Sequence, residues 1–511
     1  MRWRLLPARV VGLVAAGLGL AACTTVPSVP PPSATVPPSF QTVLREAGAT
    51  VPLAHWWTAL GDPVLNALVE QAQRDNLDVA VALQRLQQAR VYELVVSGSQ
   101  APQVGADVGG GRGSGSDATR GRVANALRDG ENATGLRQIA YAGGFDVSWT
   151  LDLAGAFEAQ RALAAADRQA AEALRQAVLV AVTANVVQAY QDLRGLQWQA
   201  AVAARGEDAA RQVLDLVSAR YARGLINQLD VALAERQLAS LQAISARLPG
   251  QQAAARSILA LLLGKSPDAL PKALQTIGPP PGLPGGVQTG LPVDLLARRP
   301  DVRAAEQAVQ SAAARARLAV AHLMPSISLN GGVGLEGQDL LQGGDRRRHL
   351  WSLGAGAYWP VLDFGVLDGL SEIADAELAA QVAHYRQVVL RAVSEVDIAA
   401  CAYQSEQQRL AALAKALAAA TRSVELAQAR YDRGLTDFLN VADAQRQAYD
   451  LEAQYVQSQT AALDQFVALY RALGGGWEDA PPPPPIRPPE PAVLAAFHHL
   501  FPRGGENHDA R

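Results

Sequence analysis

The sequence predicts an α+β membrane protein whose strands cross a bilayer as part of a β-barrel and whose helices run far beyond it. Three observations lead there. From about residue 156 to 222 the chain carries no proline and few glycines. At 1.5 Å per residue an unbroken helix over that stretch reaches roughly 100 Å, too long to fold over a compact core. Two intervals alternate apolar with small polar residues at period two and end in tryptophan, the pattern of a transmembrane barrel strand. The arrangement also occurs twice at a constant offset, which makes each half one structural unit.

Composition removes most alternatives. Of 511 residues, 49% are hydrophobic and 18% charged, far too apolar for a disordered chain. The 45 basic and 48 acidic residues leave a formal charge of −3, which argues against a nucleic-acid surface. Two cysteines exclude a disulfide framework or a Cys-rich metal centre, and the seven histidines show no HExxH or paired-ligand spacing. No acid–base or nucleophile constellation converges, so the chain is not read as an enzyme, and no metal or dissociable cofactor is expected.

The N-terminus reads as a targeting segment. Arg2, Arg4 and Arg9 precede an apolar run from Val10 to Ala22 that is too short to span a bilayer and has the length of a signal-peptide core. The run closes on Leu20-Ala21-Ala22-Cys23, which resembles a bacterial lipobox. Residues 1–22 are then a lipoprotein signal peptide, Cys23 carries a covalent lipid, and residues 23–62 form a lipidated leader. Thr24, standing where an aspartate would signal retention in the inner membrane, favours the outer membrane. Without the three leader arginines the balance is 42 basic against 48 acidic residues, or −6. Cys401, in an Ala-rich stretch, is expected to be a buried small hydrophobe. Beyond residue 23 no apolar run of membrane-helix length is read, so any crossing by the mature chain must be a closed barrel.

The duplication is read from Ala219-Arg220-Tyr221-Ala222-Arg223-Gly224-Leu225, which returns as Ala429-Arg430-Tyr431-Asp432-Arg433-Gly434-Leu435. Twelve of nineteen aligned positions are identical at an offset of 210. The first repeat, 63–263, opens with a helix over about 63–96, started by Asp62-Pro63 as N-cap and N1. A Gly-rich interval at 102–155 follows, then helix from about 156 to 263 broken near Gly224. A Pro- and Gly-rich linker spans 264–292. The second repeat, 293–476, brings a helix from Asp301 to about Leu323, a β-like interval at 325–365 and helix from 366 to 473 broken near Gly434. Gly474-Gly475-Gly476 and Pro481 to Pro485 are expected to end the ordered part, leaving 477–511 as a disordered Pro-rich tail.

In the β-like intervals Tyr141, Gly143, Phe145, Val147, Trp149 and Leu151 share one face, and Ala142, Gly144, Asp146, Ser148 and Thr150 the other. Ile327, Leu329, Val333 and Leu335 likewise oppose Ser326, Ser328, Asn330 and Glu336, and Trp351, Leu353, Ala355, Ala357, Trp359 and Val361 oppose Ser352, Gly354, Gly356 and Tyr358. Two hairpins per chain supply four strands, which cannot close a barrel alone. Bacterial barrels start at about eight strands, so closure requires a dimer at least, and a trimer supplies about twelve.

The run Leu295-Leu296-Ala297-Arg298-Arg299-Pro300-Asp301-Val302-Arg303-Ala304-Ala305-Glu306, the lipobox, Trp56-Trp57 with Asp62-Pro63, and the paired Tyr-x-Arg-Gly turns together resemble the TolC-like outer-membrane factors, in their NodT-type lipoprotein branch. The resemblance covers about residues 20–476. It implies a homotrimer with a 12-stranded transmembrane β-barrel (four strands per chain) continuous with a long periplasmic α-helical barrel. It further implies an exit duct of a tripartite efflux system, served by a periplasmic membrane-fusion adaptor and an inner-membrane pump of the resistance–nodulation–division (RND) class. Adaptor contact would fall at the helix-turn tips, Tyr221, Arg223, Gly224, Tyr431, Arg433 and Gly434. A periplasmic gate would be narrowed by Leu439, Asp443 and Arg446; the first repeat has Leu233 where Asp443 stands.

Other motifs are weaker. Gly332-Val333-Gly334-Leu335-Glu336-Gly337 fits a dinucleotide-binding pattern, but no helix opens at its last glycine, as that chemistry requires. Gly109 to Gly115 reads as a flexible loop, and Arg346-Arg347-Arg348 as a solvated loop cluster. The alternative to a duct is a structural or adhesive outer-membrane lipoprotein with periplasmic coiled coils. For the lipobox, Cys23→Ser is expected to abolish incorporation of a fatty-acid probe; unchanged labelling overturns the assignment.

Overall fold

The computed structural model describes residues 37, 39–40, 51–114, 137–278, 282–283, 292–340 and 344–486. The lipobox and leader peptide lie outside these. The elements run α1 (Pro63–Asp75), α2 (Leu77–Ser99), β1 (Gln103–Ser114), β2 (Arg137–Leu151), α3 (Ala156–Ala222) and α4 (Gln228–Leu262). The second set is α5 (Pro292–Arg298), α6 (Pro300–Ala321), β3 (Ser326–Leu340), β4 (Gly344–Tyr358), α7 (Val366–Asp432) and α8 (Phe438–Ala472). The helices α3 and α7 are each 67 residues long, and α4 and α8 each 35. Both pairs are offset by 210 residues, as the sequence motif is.

The first helix begins where its cap stands. Asp62 accepts from the amides of Val64 and Leu65 at 2.8 and 3.4 Å, with Pro63 at the first helical position. The single helix expected over 63–96 is instead two. Asn76 leaves helical geometry, caps α2 by accepting from Asp78 and Val79, and donates from Nδ2 to the Leu262 carbonyl at 2.8 Å. This break ties the first helices to the end of α4.

The strands form one antiparallel sheet in the order β1-β2-β3-β4. Phe145 stands opposite Ala106 and Val333, and Val333 opposite Trp351. These side chains share a face that none of the described residues covers: Phe145 is 59% exposed and Trp351 79%. The other face carries the row Gly105, Asp146, Gly332, Ser352 and the row Ser148, Asn330, Gly354. At the helix-facing end Trp149 Nε1 donates to the Gln100 carbonyl and Trp359 Nε1 to the Leu323 carbonyl, both at 3.1 Å. Each tryptophan thus anchors a strand end to the close of the preceding helix.

Several expectations are corrected here. Gly109 to Ser114 belong to β1, paired with Arg137 to Ala142 of β2, and are not a loop. Arg346 to Arg348 lie in β4, opposite Glu336 to Gln338. Trp359 and Val361 fall past the end of β4. Gly332 to Gly337 is strand throughout. Cys401 is exposed on α7, on a face that none of the described residues covers. One window of α3 is apolar enough to pass for a membrane span by composition, but more than half of it is buried against neighbouring helices, so it is core. The tail is ordered as far as residue 486: Arg303 lies 5.6 Å from the Trp477 ring centroid, and the Pro484 carbonyl accepts from Gln87 and Arg90 at 3.2 Å.

The core sits midway along the long helices. Trp56 stacks on Tyr470 (centroids 5.3 Å, 16°) and meets Phe466 edge-on at 5.9 Å, joining the N-terminal turn to α8. Tyr190 of α3 donates to Asp62, and burial, followed by that carboxylate, pushes its phenol up to about 12. Arg194 and Gln197 then bind carbonyls of 273–276 at 2.7–3.4 Å, strapping the inter-repeat linker to α3. Arg299, from the run that carried the family resemblance, does the same within the second repeat, tying the start of α6 to α7 and to the end of α8. It forks onto Asp301 (3.0 and 2.7 Å), reaches Glu395 at 2.7 Å and donates to the Ala472 carbonyl at 2.9 Å.

Asp464 of α8 has a buried Oδ1 without a hydrogen-bond partner. Burial, with the Asp192 charge adding to it, raises its carboxyl from the ordinary 3.8 to about 7. The folded chain then keeps a proton the unfolded chain loses, so this contribution is full below the ordinary value and is lost as pH rises through 7. Asp464→Asn is expected to flatten the fall in apparent melting temperature between pH 5 and about 8 in detergent.

Candidate functional site: the tip of the helical hairpins

The two hairpins reverse through the same turn because each needs one left-handed residue, and glycine supplies it without a Cβ penalty. Gly224 has φ 71° and Gly434 φ 72°. Leu225 N donates to the Arg220 carbonyl at 3.0 Å and Leu435 N to the Arg430 carbonyl at 2.9 Å, so each helix closes on its own last turn. The return helices start differently. Asn227 accepts from Asp230 N at 3.2 Å, whereas Asp437 makes no side-chain cap.

Arg223, Gly224, Arg433 and Gly434 are exposed at the tip, as are Leu225, Leu229, Leu435 and Leu439. Leu225 and Leu435 are contact candidates that the sequence reading does not name, although each stands directly after the glycine of the motif. The two tyrosines part company. Tyr221 is 45% exposed and available for contact, but Tyr431 is only 6% exposed. It packs edge-on to Phe438 (5.7 Å, 61°) beneath the Arg220 guanidinium, 4.3 Å from the ring centroid. Its expected place at an adaptor contact is therefore corrected.

Leu439, Asp443 and Arg446 follow on one face of α8 at helical spacing. All but the hydrocarbon of Leu439 is engaged in charge pairing: Arg446 donates to Asp443 at 2.8 Å, and Asp450 lies 4.0 Å beyond. The hydrogen bond to Asp443 holds Arg446 above its ordinary value. Gln447 also donates to Asp443, at 2.6 Å. Gln447 and Asp450 were missed in the sequence, though each sits four residues from a residue already chosen. Within one chain the group is thus a solvated ladder on a helix surface. Among the described residues no group of histidine, cysteine and carboxylate side chains could hold a metal ion.

The family model for outer membrane efflux proteins matches residues 68–265 and 291–475. The chain belongs to the outer membrane efflux protein family. The pyoverdine export outer membrane protein OpmQ of Pseudomonas putida is 28% identical over 477 residues, covering 92% of this chain and 98% of that protein. Nodulation protein T of Rhizobium leguminosarum bv. trifolii is 26% identical over 90% of this chain and 95% of its own length. Among solved structures, the outer-membrane channel OprN superposes with TM-score 0.77 at 31% identity, covering 89% of this chain and all of that one. The family is one of channels, not of enzymes. The chain is accordingly an efflux channel of the outer membrane, with its sheet in the bilayer and its helices extending into the periplasm.

Proposed function

We propose that three copies close into one duct and that this duct is the outer-membrane exit of a tripartite efflux system. The observation that carries the reading is the sheet: among the described residues it has four strands, an uncovered apolar face, and β1 and β4 each with an unpaired edge. In hydrocarbon an unpaired backbone group costs several kcal/mol, so each edge needs a strand from another copy. The helices support the same closure. Within the chain α6 packs on both α3 and α7, while α2, its counterpart, packs on α3 and leaves Leu77, Val81, Tyr92 and Val95 exposed on its far side. A neighbouring copy's helix is what that face lacks.

In this duct Cys23 carries the lipid that adds an anchor beside the barrel. The exposed tips, with Tyr221, Arg223, Leu225, Arg433 and Leu435, meet a periplasmic adaptor, which joins the duct to an RND-type inner-membrane pump. Leu439, Asp443 and Arg446 narrow the closed entrance. Three Asp443 carboxylates near one axis would repel one another, and the Arg446 partners offset that.

Detergent-extracted protein is expected to have the mass of a trimer and to conduct ions across planar bilayers. A monomer with intact β circular dichroism, or a trimer that never conducts, overturns the duct. Leu439→Ala with Asp443→Ala is expected to raise single-channel conductance and vancomycin entry into cells; if both stay at wild-type levels, the gate lies elsewhere.

A further inference from the structure

The family match ends at residue 475, yet the described chain goes on to residue 486 along a fixed course. Glu478 accepts from the amides of Gly476 and Trp477 at 2.9 and 3.0 Å, and Asp479 lies 3.2 Å from His55 Nδ1. The Gly476 carbonyl accepts from Gln73 of α1, and Arg303 of α6 stands over the Trp477 ring. These contacts hold the segment at the level of the central core. The Pro484 carbonyl then accepts from Gln87 and Arg90, halfway along α2. Since α2 starts at that core and ends at Ser99, four residues before β1, residues 481–486 climb α2 toward the sheet and the bilayer. Arg90 is nine residues short of the end of α2, about 14 Å at 1.5 Å per residue. Four of the seven residues from 485 to 491 are proline. They favour the extended polyproline form at about 3.1 Å per residue, so Ala492 can stand roughly 25 Å beyond Pro484, at the height where the strands enter the membrane.

We infer that residues 493–501 are an interfacial membrane segment, which seats its apolar side among the lipids of the periplasm-facing leaflet and is carried there by the strap over 476–486. The segment itself lies outside the described residues, between Pro491 and Pro502. Its sequence supplies the chemistry. Wound as a helix at about 100° per residue, Val493, Leu494, Phe497, Leu500 and Phe501 fall within an arc of about 120°, and His498 and His499 fall on the opposite side. Such a division is the make-up of a helix lying in a membrane surface. The other available seat is the face of α2 that the strap already follows, and it is too small. Past Arg90 its exposed apolar residues are Leu94 and, beside it, Val91, which cannot cover five apolar side chains. A segment this short binds a bilayer weakly when free, but its tether holds it at a high effective concentration against the surface. This placement requires only that the sheet lies in the bilayer, not that three copies close.

The test uses the full-length protein with Cys401→Ala, reconstituted into phosphatidylethanolamine–phosphatidylglycerol vesicles, with that protein unsubstituted elsewhere as the labelling blank. A thiol-reactive fluorophore is placed on Leu500→Cys or on Ala495→Cys, which lies on the side of the histidines. A fluorophore on Leu353→Cys, on the uncovered face of β4, sets the level for full lipid contact. Brominated lipid is expected to quench the Leu500→Cys label, and aqueous iodide is expected to quench the Ala495→Cys label but not the Leu500→Cys one. Adding Phe497→Glu and Phe501→Glu is expected to abolish quenching of the Leu500→Cys label by brominated lipid and to open it to iodide. A Leu500→Cys label that iodide quenches in the otherwise unsubstituted segment overturns the inference. So does one shielded from both quenchers, which would seat the segment on α2 or on another copy.

Discussion

An unpaired strand edge cannot rest in hydrocarbon, and most of this molecule is arranged around that fact. Four strands of up to 15 residues are enough to cross a bilayer but leave β1 and β4 open. The apolar residues that would be core in a soluble sheet instead face outward, and the facing side is glycine, serine, asparagine and aspartate. That inversion makes no sense for a chain on its own and follows directly if copies share one barrel. The tryptophans at the strand ends then sit where a polar indole N–H finds a helix-end carbonyl.

The long helices face the opposite difficulty. A 67-residue helix has far more surface than one neighbour can cover, and its stability depends on burying a stripe over its whole length. The chain concentrates fixed contacts at mid-height: the Trp56–Tyr470–Phe466 cluster, the Tyr190–Asp62 bond, and the Arg194 and Arg299 forks onto backbone carbonyls. Arg299 explains why an arginine–proline–aspartate run survives as a recognisable motif. Its guanidinium satisfies an orphan carbonyl at the end of α8 while two carboxylates offset the cost of burying it. At this belt Ile258 and Leu261, and along the helices Leu174 and Leu426, stay exposed, surface suited to other copies rather than to solvent.

Much of this was legible in the sequence where a local rule and the global fold agree. Gly155, Gly224, Gly365 and Gly434 mark helix boundaries because each has positive φ, and the long helices start or stop beside them. The β2, β3 and β4 faces were readable from period-two alternation. β1 was not: Gly109, Gly110, Gly111 and Gly113 carry no apolar side chain, and what makes them strand is pairing with β2, between residues 25 to 33 positions apart. Arg346 to Arg348 failed for the same reason, since pairing with β3 overrides a charge run that reads as loop. Asn76 was hidden because its helix-breaking role depends on the Leu262 carbonyl, and the order of 477–486 because it depends on α2.

The tip shows where even an exact repeat stops being informative. Tyr221 and Tyr431 sit in motifs that differ only at Ala222 and Asp432 from the preceding alanine to the following leucine, yet one is exposed and the other buried. The cause lies seven residues downstream, where Phe438 supplies a ring and Gln228 does not. Because both hairpins have the same helix lengths and the same glycine turn, they must end at the same height. Differences between them can then be expressed only in side chains. The same logic applies to charge: Leu233 stands in the first repeat where Asp443 stands in the second, so at this position the acidic residue comes from one hairpin alone. A duplication that preserves backbone geometry so closely leaves the entrance asymmetric in chemistry.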